Sequence, residues 1–312
     1  MKKLMVIPLV AAGMAAMVGC SKTPVKEAAK NDAINLANLD TAVAPGTDFY
    51  QYACGGWMKN NPLKPEYARF GTFDQLRDNN QEQIRTLIEG LSETPGQEGS
   101  VGQKIGMLFA MGMDSVKLNE DGYAPIKDQL AEINKLGTKD ELTKMVATLH
   151  KEGMAPFFAL YVGADEKNSS MNIVQLYQAG LGMGDRDYYL LEDESSQKMR
   201  EAYKNYITRL FTLIGSSPEQ ADAAVNAIMK IERGIAEVSF SREDLRDSQK
   251  NYNKMSIEDF KAKNDLLNWD VYFESMGMMD IKYLDAKQLS FYEGLSALMK
   301  NTTLDEQKYY LT

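Results

Sequence analysis

Side chains able to do metal, nucleophilic or acid–base chemistry are scarce in this sequence. Among 312 residues there is one histidine, His150, and two cysteines, Cys20 and Cys54. The common catalytic zinc sites draw several His, Cys or Glu ligands onto one ion, and a single His cannot supply a pair. A Ser-His-Asp triad would hang on His150 alone. Two Cys exclude a disulfide scaffold and a Cys-rich zinc module. Ionic chemistry is better represented, in the run RFGTFDQLR that carries Arg69, Asp74 and Arg77. A guanidinium fork binds a carboxylate in a bidentate way. Asp74 and Arg77 lie three apart at a predicted helix start, close enough to pair. By residue type and spacing alone these three residues fit a structural salt-bridge cluster.

The elements that must position them are mostly helical. Phe73, Leu76, Ile84, Leu87, Ile88 and Leu91 recur at helical spacing and predict a long helix with one buried stripe. Val101, Ile105, Leu108, Phe109 and Gly112 outline a second helix. Thr138 and Glu141 form a capping box ahead of Leu142, Met145, Val146 and Leu149. Met199, Tyr203, Tyr206, Leu210 and Phe211 mark another long helix. Ser217-Pro218-Glu219-Gln220 starts a further one, whose core stripe is interrupted by Glu232. The apolar runs PFFALYV (156–162) and MNIVQLY (171–177), separated by GADEKNSS, predict one hairpin. The fold class expected is mainly α with a minor β-hairpin. Thr303 and Glu306 open a last helix that runs little more than two turns, which looks cut rather than finished. His150 closes the helix from Lys139, where a partial positive charge would complement the helix dipole. Cys54 reads as a small half-buried thiol or as half of a disulfide, and the 19 Met read first as core filling.

The N-terminus carries an address. Lys2 and Lys3 precede an apolar stretch, Leu4 to Val18, too short to span a bilayer. Met17-Val18-Gly19-Cys20 resembles a bacterial lipobox, so residues 1–19 are expected to leave and Cys20 to be acylated. Each buried methylene of such an anchor contributes about 0.8 kcal/mol. Removing residues 1–19 takes away two Lys and no acid, moving the net charge from −9 to −11. That balance argues against nucleic acid and against binding anionic lipid by charge. Ser21 resembles the sorting residue of outer-membrane lipoproteins, which implies a cell-envelope location. Residues 20–40 are polar and read as a tether.

The run DFYQYACGGW (48–57), followed by MKNNPL and RFGTFDQLRDN, resembles the start of the neprilysin and endothelin-converting-enzyme family of zinc metallopeptidases. GADEKNSS (163–170), LGMGDRDYYL (181–190) and NYNKMS (251–256) resemble family landmarks in the same order. The resemblance implies a two-lobed, largely helical metalloendopeptidase enclosing a chamber around one zinc ion and cleaving oligopeptides. The family's HExxH puts two His on one helix face for a single metal, and the Glu between them activates water. That motif is absent here.

The chain thus looks like the N-terminal portion of such an enzyme. Zinc would belong to the full-length protein, and this chain alone would bind none and be inactive. Residues 41–80 would form an opening segment of the catalytic lobe and substrate cleft, and 81–312 an incomplete helical domain. The resemblance further implies that Arg69, Asp74 and Arg77 contact substrate on the primed side, with Arg69 facing a peptide's terminal carboxylate. In animal members the Cys matching Cys54 pairs with one in the distant C-terminal half. With Cys20 acylated no partner remains in this chain, so Cys54 is expected to be a free thiol. The competing function is a stand-alone lipoprotein that binds peptides or envelope partners without catalysis.

Overall fold

The computed structural model describes residues 34–63 and 70–312. Cys20, Arg69 and the lipobox therefore lie outside the described residues. Two compact units divide the chain, one ending at Met113 and the other running Asp114–Thr312.

The first unit contains α1 (Phe49–Asn60), α2 (Thr72–Glu93) and α3 (Val101–Met113). Asp48 caps α1 by accepting from the Gln51 N–H at 2.9 Å. Gly106 lets α3 approach α2 closely, since a Cβ there would lie 2.2 Å from the Leu91 carbonyl oxygen. The stripe predicted along α2 is in place but is not buried. Phe73 is 87% exposed and Leu76 and Leu87 are also exposed, while Ile88 and Leu91 alone are half-buried. The reason is thickness: among the described residues of this unit, α3 is the long helix that packs extensively on α2. Two helices leave most of each apolar stripe in water.

The second unit is built from α4 (Ser115–Asp121), α5 (Lys127–Lys135) and α6 (Lys139–Lys151), then strands β1 (Phe158–Asp165) and β2 (Asn168–Gln178). There follow α7 (Asp187–Leu190), α8 (Glu194–Leu213), α9 (Pro218–Val238), β3 (Lys254–Ser256), α10 (Ile257–Lys263) and α11 (Trp269–Met276). The last elements are β4 (Tyr283–Ala286), α12 (Leu289–Lys300) and α13 (Leu304–Leu311). The helix starts predicted at Thr138, Ser217 and Thr303 open α6, α9 and α13, each closed by a capping box. Little in α13 favours a free-standing helix of eight residues, yet it packs on α9 and buries Leu311.

The predicted hairpin is part of a larger sheet. β1 pairs antiparallel with β2, Phe158 opposite Gln178 and Val162 opposite Val174. Two short strands extend it in the order β1-β2-β4-β3, with β4 parallel to β2. Three and four residues with no alternating pattern gave no signal of their own; pairing with a formed hairpin edge makes them strands. Lys254 of β3 reaches Asp165 at 2.7 Å and, with the Lys167 N–H and the Tyr252 hydroxyl, holds that carboxyl down to about 2.

Behind the sheet lies an aromatic core of Phe158, Phe260, Trp269, Tyr272, Phe291 and Tyr292, all buried. Their rings meet edge to face, Phe260 and Trp269 at 4.8 Å and Phe291 and Tyr292 at 5.3 Å between centroids. His150 sits against this core, 4.7 Å from the Phe158 ring. Its role is structural, but not through charge. The Tyr272 hydroxyl lies 2.6 Å from Nδ1 and the Pro156 carbonyl 3.2 Å from Nε2. Burial lowers its pKa from the usual imidazole range, against the pull of the Pro156 and Phe158 backbone. A neutral ring, donating from Nε2 and accepting at Nδ1, fits both neighbours. The dipole argument fails here because desolvation outweighs a partial charge at a helix end.

Candidate functional site

The best-defined sequence candidate is the start of α2. Asp74 lies in its first turn and its Oδ2 accepts from the Gly71 N–H at 3.0 Å. The other oxygen, Oδ1, faces the Arg77 guanidinium at 3.2 Å. One carboxylate therefore both caps the helix and aims the arginine, as the three-residue spacing predicts. Arg77 has half its side chain in water and also lies 3.9 Å from Asp78. Contacts from α1 fix the approach of this turn. Trp57 stacks on Phe70 with centroids 6.0 Å apart, and Gln75 donates to Asn61 at 3.4 Å. The structure thus brings Asp74 and Arg77 together. Cys54, half-buried on α1, has no disulfide partner among the described residues.

No group of three His, Cys, Asp or Glu suited to a metal ion occurs among the described residues. His150, the sole His, is committed to Tyr272 and Pro156. These residues do not fit a catalytic zinc.

A second site was visible in the sequence merely as a break in a stripe. Glu232 of α9 is 3% exposed among Ile228, Ile231 and Ile235. It accepts from the Tyr189 hydroxyl at 2.7 Å, the Tyr203 hydroxyl at 3.0 Å and the Gly182 N–H at 3.2 Å. Burial pushes the carboxyl up from the usual range, while the three donors pull it down. Gly182 is required at this contact, since a Cβ would fall 1.9 Å from the Tyr203 hydroxyl oxygen. The LGMGDRDYYL segment is therefore tied to α8 and α9 through one carboxylate. An acidic residue at a core position was the signal available from sequence; its partners were not legible.

Comparison with known proteins places this geometry. The N-terminal model of peptidase family M13 matches residues 45–312. The chain belongs to peptidase family M13. Among its M13 relatives, endothelin-converting enzyme 1 of Mus musculus is 32% identical over 290 residues, covering 86% of this chain and 37% of that protein. An endothelin-converting enzyme homolog of Locusta migratoria is 29% identical over 248 residues, 77% of this chain and 34% of its own length. The crystal structure of the Mycobacterium tuberculosis zinc metalloprotease Zmp1 with an inhibitor superposes with TM-score 0.78 at 25% identity. That match covers 89% of this chain and 42% of Zmp1. PepO from Lactobacillus rhamnosis shares the fold, with TM-score 0.67 at 19% identity, 86% of this chain and 42% of its own. The chain thus spans about two fifths of the length of these M13 proteins, and the region it matches is their largely helical part.

Proposed function

We propose that this chain supplies the helical, chamber-forming lobe and the primed-side substrate contacts of a lipid-anchored zinc metalloendopeptidase that cleaves oligopeptides. The M13 match over residues 45–312 carries the reading. The zinc ligands would come from an M13 catalytic lobe carrying HExxH, a motif this sequence does not contain. The exposed aromatic and aliphatic residues Phe49, Tyr50, Phe73 and Leu76 support a further lobe seated on the first unit. Arg69, Asp74 and Arg77 would meet the C-terminal side of a bound peptide, with Arg69 on its carboxylate and Asp74 holding Arg77 in place. Acylation of Cys20 would fix the protein to the outer membrane, with residues 21–40 as the tether.

The test is reconstitution. The 312-residue chain alone should hold no stoichiometric zinc and hydrolyse no peptide. Joined to an M13 catalytic lobe, it should bind one zinc and cleave oligopeptides in a chelator-sensitive way. Chelator-sensitive hydrolysis by the chain alone overturns the reading, as does a folded, zinc-loaded joined protein without peptidase activity.

A further inference from the structure

A cavity of about 580 Å³ opens beside Glu232. Its walls are the end of α6 and the loop after it, the segment that follows β2, and the C-terminal parts of α9 and α13. Two features make these walls fixed. The Tyr310 hydroxyl accepts from the Phe157 N–H at 3.1 Å and donates to the Gly180 carbonyl at 2.8 Å, bolting the two loops together. Phe157 is held at φ 66° while fully buried, a left-handed conformation that a bulky residue adopts only where its surroundings impose it. Gly180 is at φ 95°, and a Cβ there would sit 2.7 Å from the Tyr310 oxygen.

Met154, Pro156, Leu181 and Leu245 give the cavity an apolar lining, and Glu232 lies in its wall. All three groups that donate to Glu232 are neutral. No Lys, Arg or His among the described residues forms an ion pair with it. A carboxylate has about four acceptor positions, so three donors leave room for one more. A buried charge without a counter-charge is costly, and a cation delivered by a ligand would offset that cost.

We propose that this cavity is a binding subsite for an amine cation carried on an apolar group, the chemistry of the N-terminal residue of a hydrophobic peptide. The apolar side chain lies against Met154, Pro156, Leu181 and Leu245, and the ammonium donates to Glu232. The choice of a peptide rests on the peptidase reading above; the choice of an apolar amine rests on the cavity alone. Such a subsite would hold a peptide by its N-terminus.

Binding to the full 312-residue chain tests this without catalysis. The probes are leucyl-phenylalanine amide and its N-acetyl derivative, which differ in the cation and little else. Isothermal titration on detergent-solubilised protein should show the free amine binding on the order of 10- to 150-fold tighter, the range for a hydrogen bond to a charged group. Glu232→Gln, checked for native circular dichroism, should remove that preference and leave the acetylated probe unchanged. Met154→Trp narrows the mouth of the cavity without touching Glu232 and should weaken both probes. Equal binding of both probes by the parent, binding of neither, or a folded Glu232→Gln that keeps the preference overturns the subsite. A peptidase inactive after reconstitution would overturn the earlier reading alone, because amine binding is read from this chain.

Discussion

The Tyr310 hydroxyl offers the sharpest test of how the second unit is held together. Tyr310→Phe keeps the ring, which lies 4.7 Å from the Phe157 ring, and deletes one oxygen. The Phe157 N–H, on a residue with no exposed surface, then loses its acceptor, and the Gly180 carbonyl loses a donor. An unsatisfied buried group costs about 1–3 kcal/mol and a lost ordinary hydrogen bond about 0.5–1.5 kcal/mol. The sum is about 1.5–4 kcal/mol, its upper end reduced because the half-buried Gly180 recovers part of its loss from water. For a unit of this size the melting temperature should fall by roughly 3–16 °C. The bond also helps hold the left-handed φ of Phe157. Thermal melts of parent and variant by far-ultraviolet circular dichroism measure the shift. Tyr309→Phe, next in sequence with no hydrogen bond to its hydroxyl among the described residues, is the control and should change stability by under about 0.5 kcal/mol. A loss under about 0.5 kcal/mol for Tyr310→Phe would refute the clamp.

Other outcomes follow from the same structure. The His150 pKa is lowered in the folded state, so its stabilising effect is complete above the unfolded value of about 6.5 and is lost as pH falls through and below it. Urea midpoints should drop between pH 7.5 and 5.5, and His150→Gln should flatten that slope; an unchanged slope sinks the assignment of a neutral imidazole. Cys20→Ala should yield an unprocessed precursor that takes up no labelled palmitate, whereas equal processing of variant and parent would remove the lipid anchor from the proposal. In the reconstituted peptidase, Arg69→Ala should raise KM more than it lowers kcat, with kcat/KM down on the order of 10- to 150-fold for peptides ending two residues past the cut. Peptide amides should be nearly indifferent; equal losses for acid and amide would make Arg69 scaffold.

Sequence by itself determined the local events. The helix starts at Thr138, Ser217 and Thr303 and the pairing of Asp74 with Arg77 rest on groups three or four residues apart, so spacing is sufficient to specify them. The hairpin was legible for the same reason, as two apolar runs around a polar turn. The motif strings around residues 48–79 carried the family, because they record a particular surface rather than a general propensity.

Tertiary structure decided what depends on partners far along the chain. His150 is neutral because Tyr272, 122 residues on, and Phe158 enclose it. Phe157 is left-handed because Tyr310, 153 residues away, receives its N–H. Glu232 became a hub through Tyr189, 43 residues earlier, and Tyr203. β3 and β4 are strands through the sheet they join. The stripe of α2 was predicted as buried and is mostly exposed, since periodicity reports which face is apolar and not whether anything covers it. Desolvation and burial belong to the assembled environment, and no window of sequence contains them.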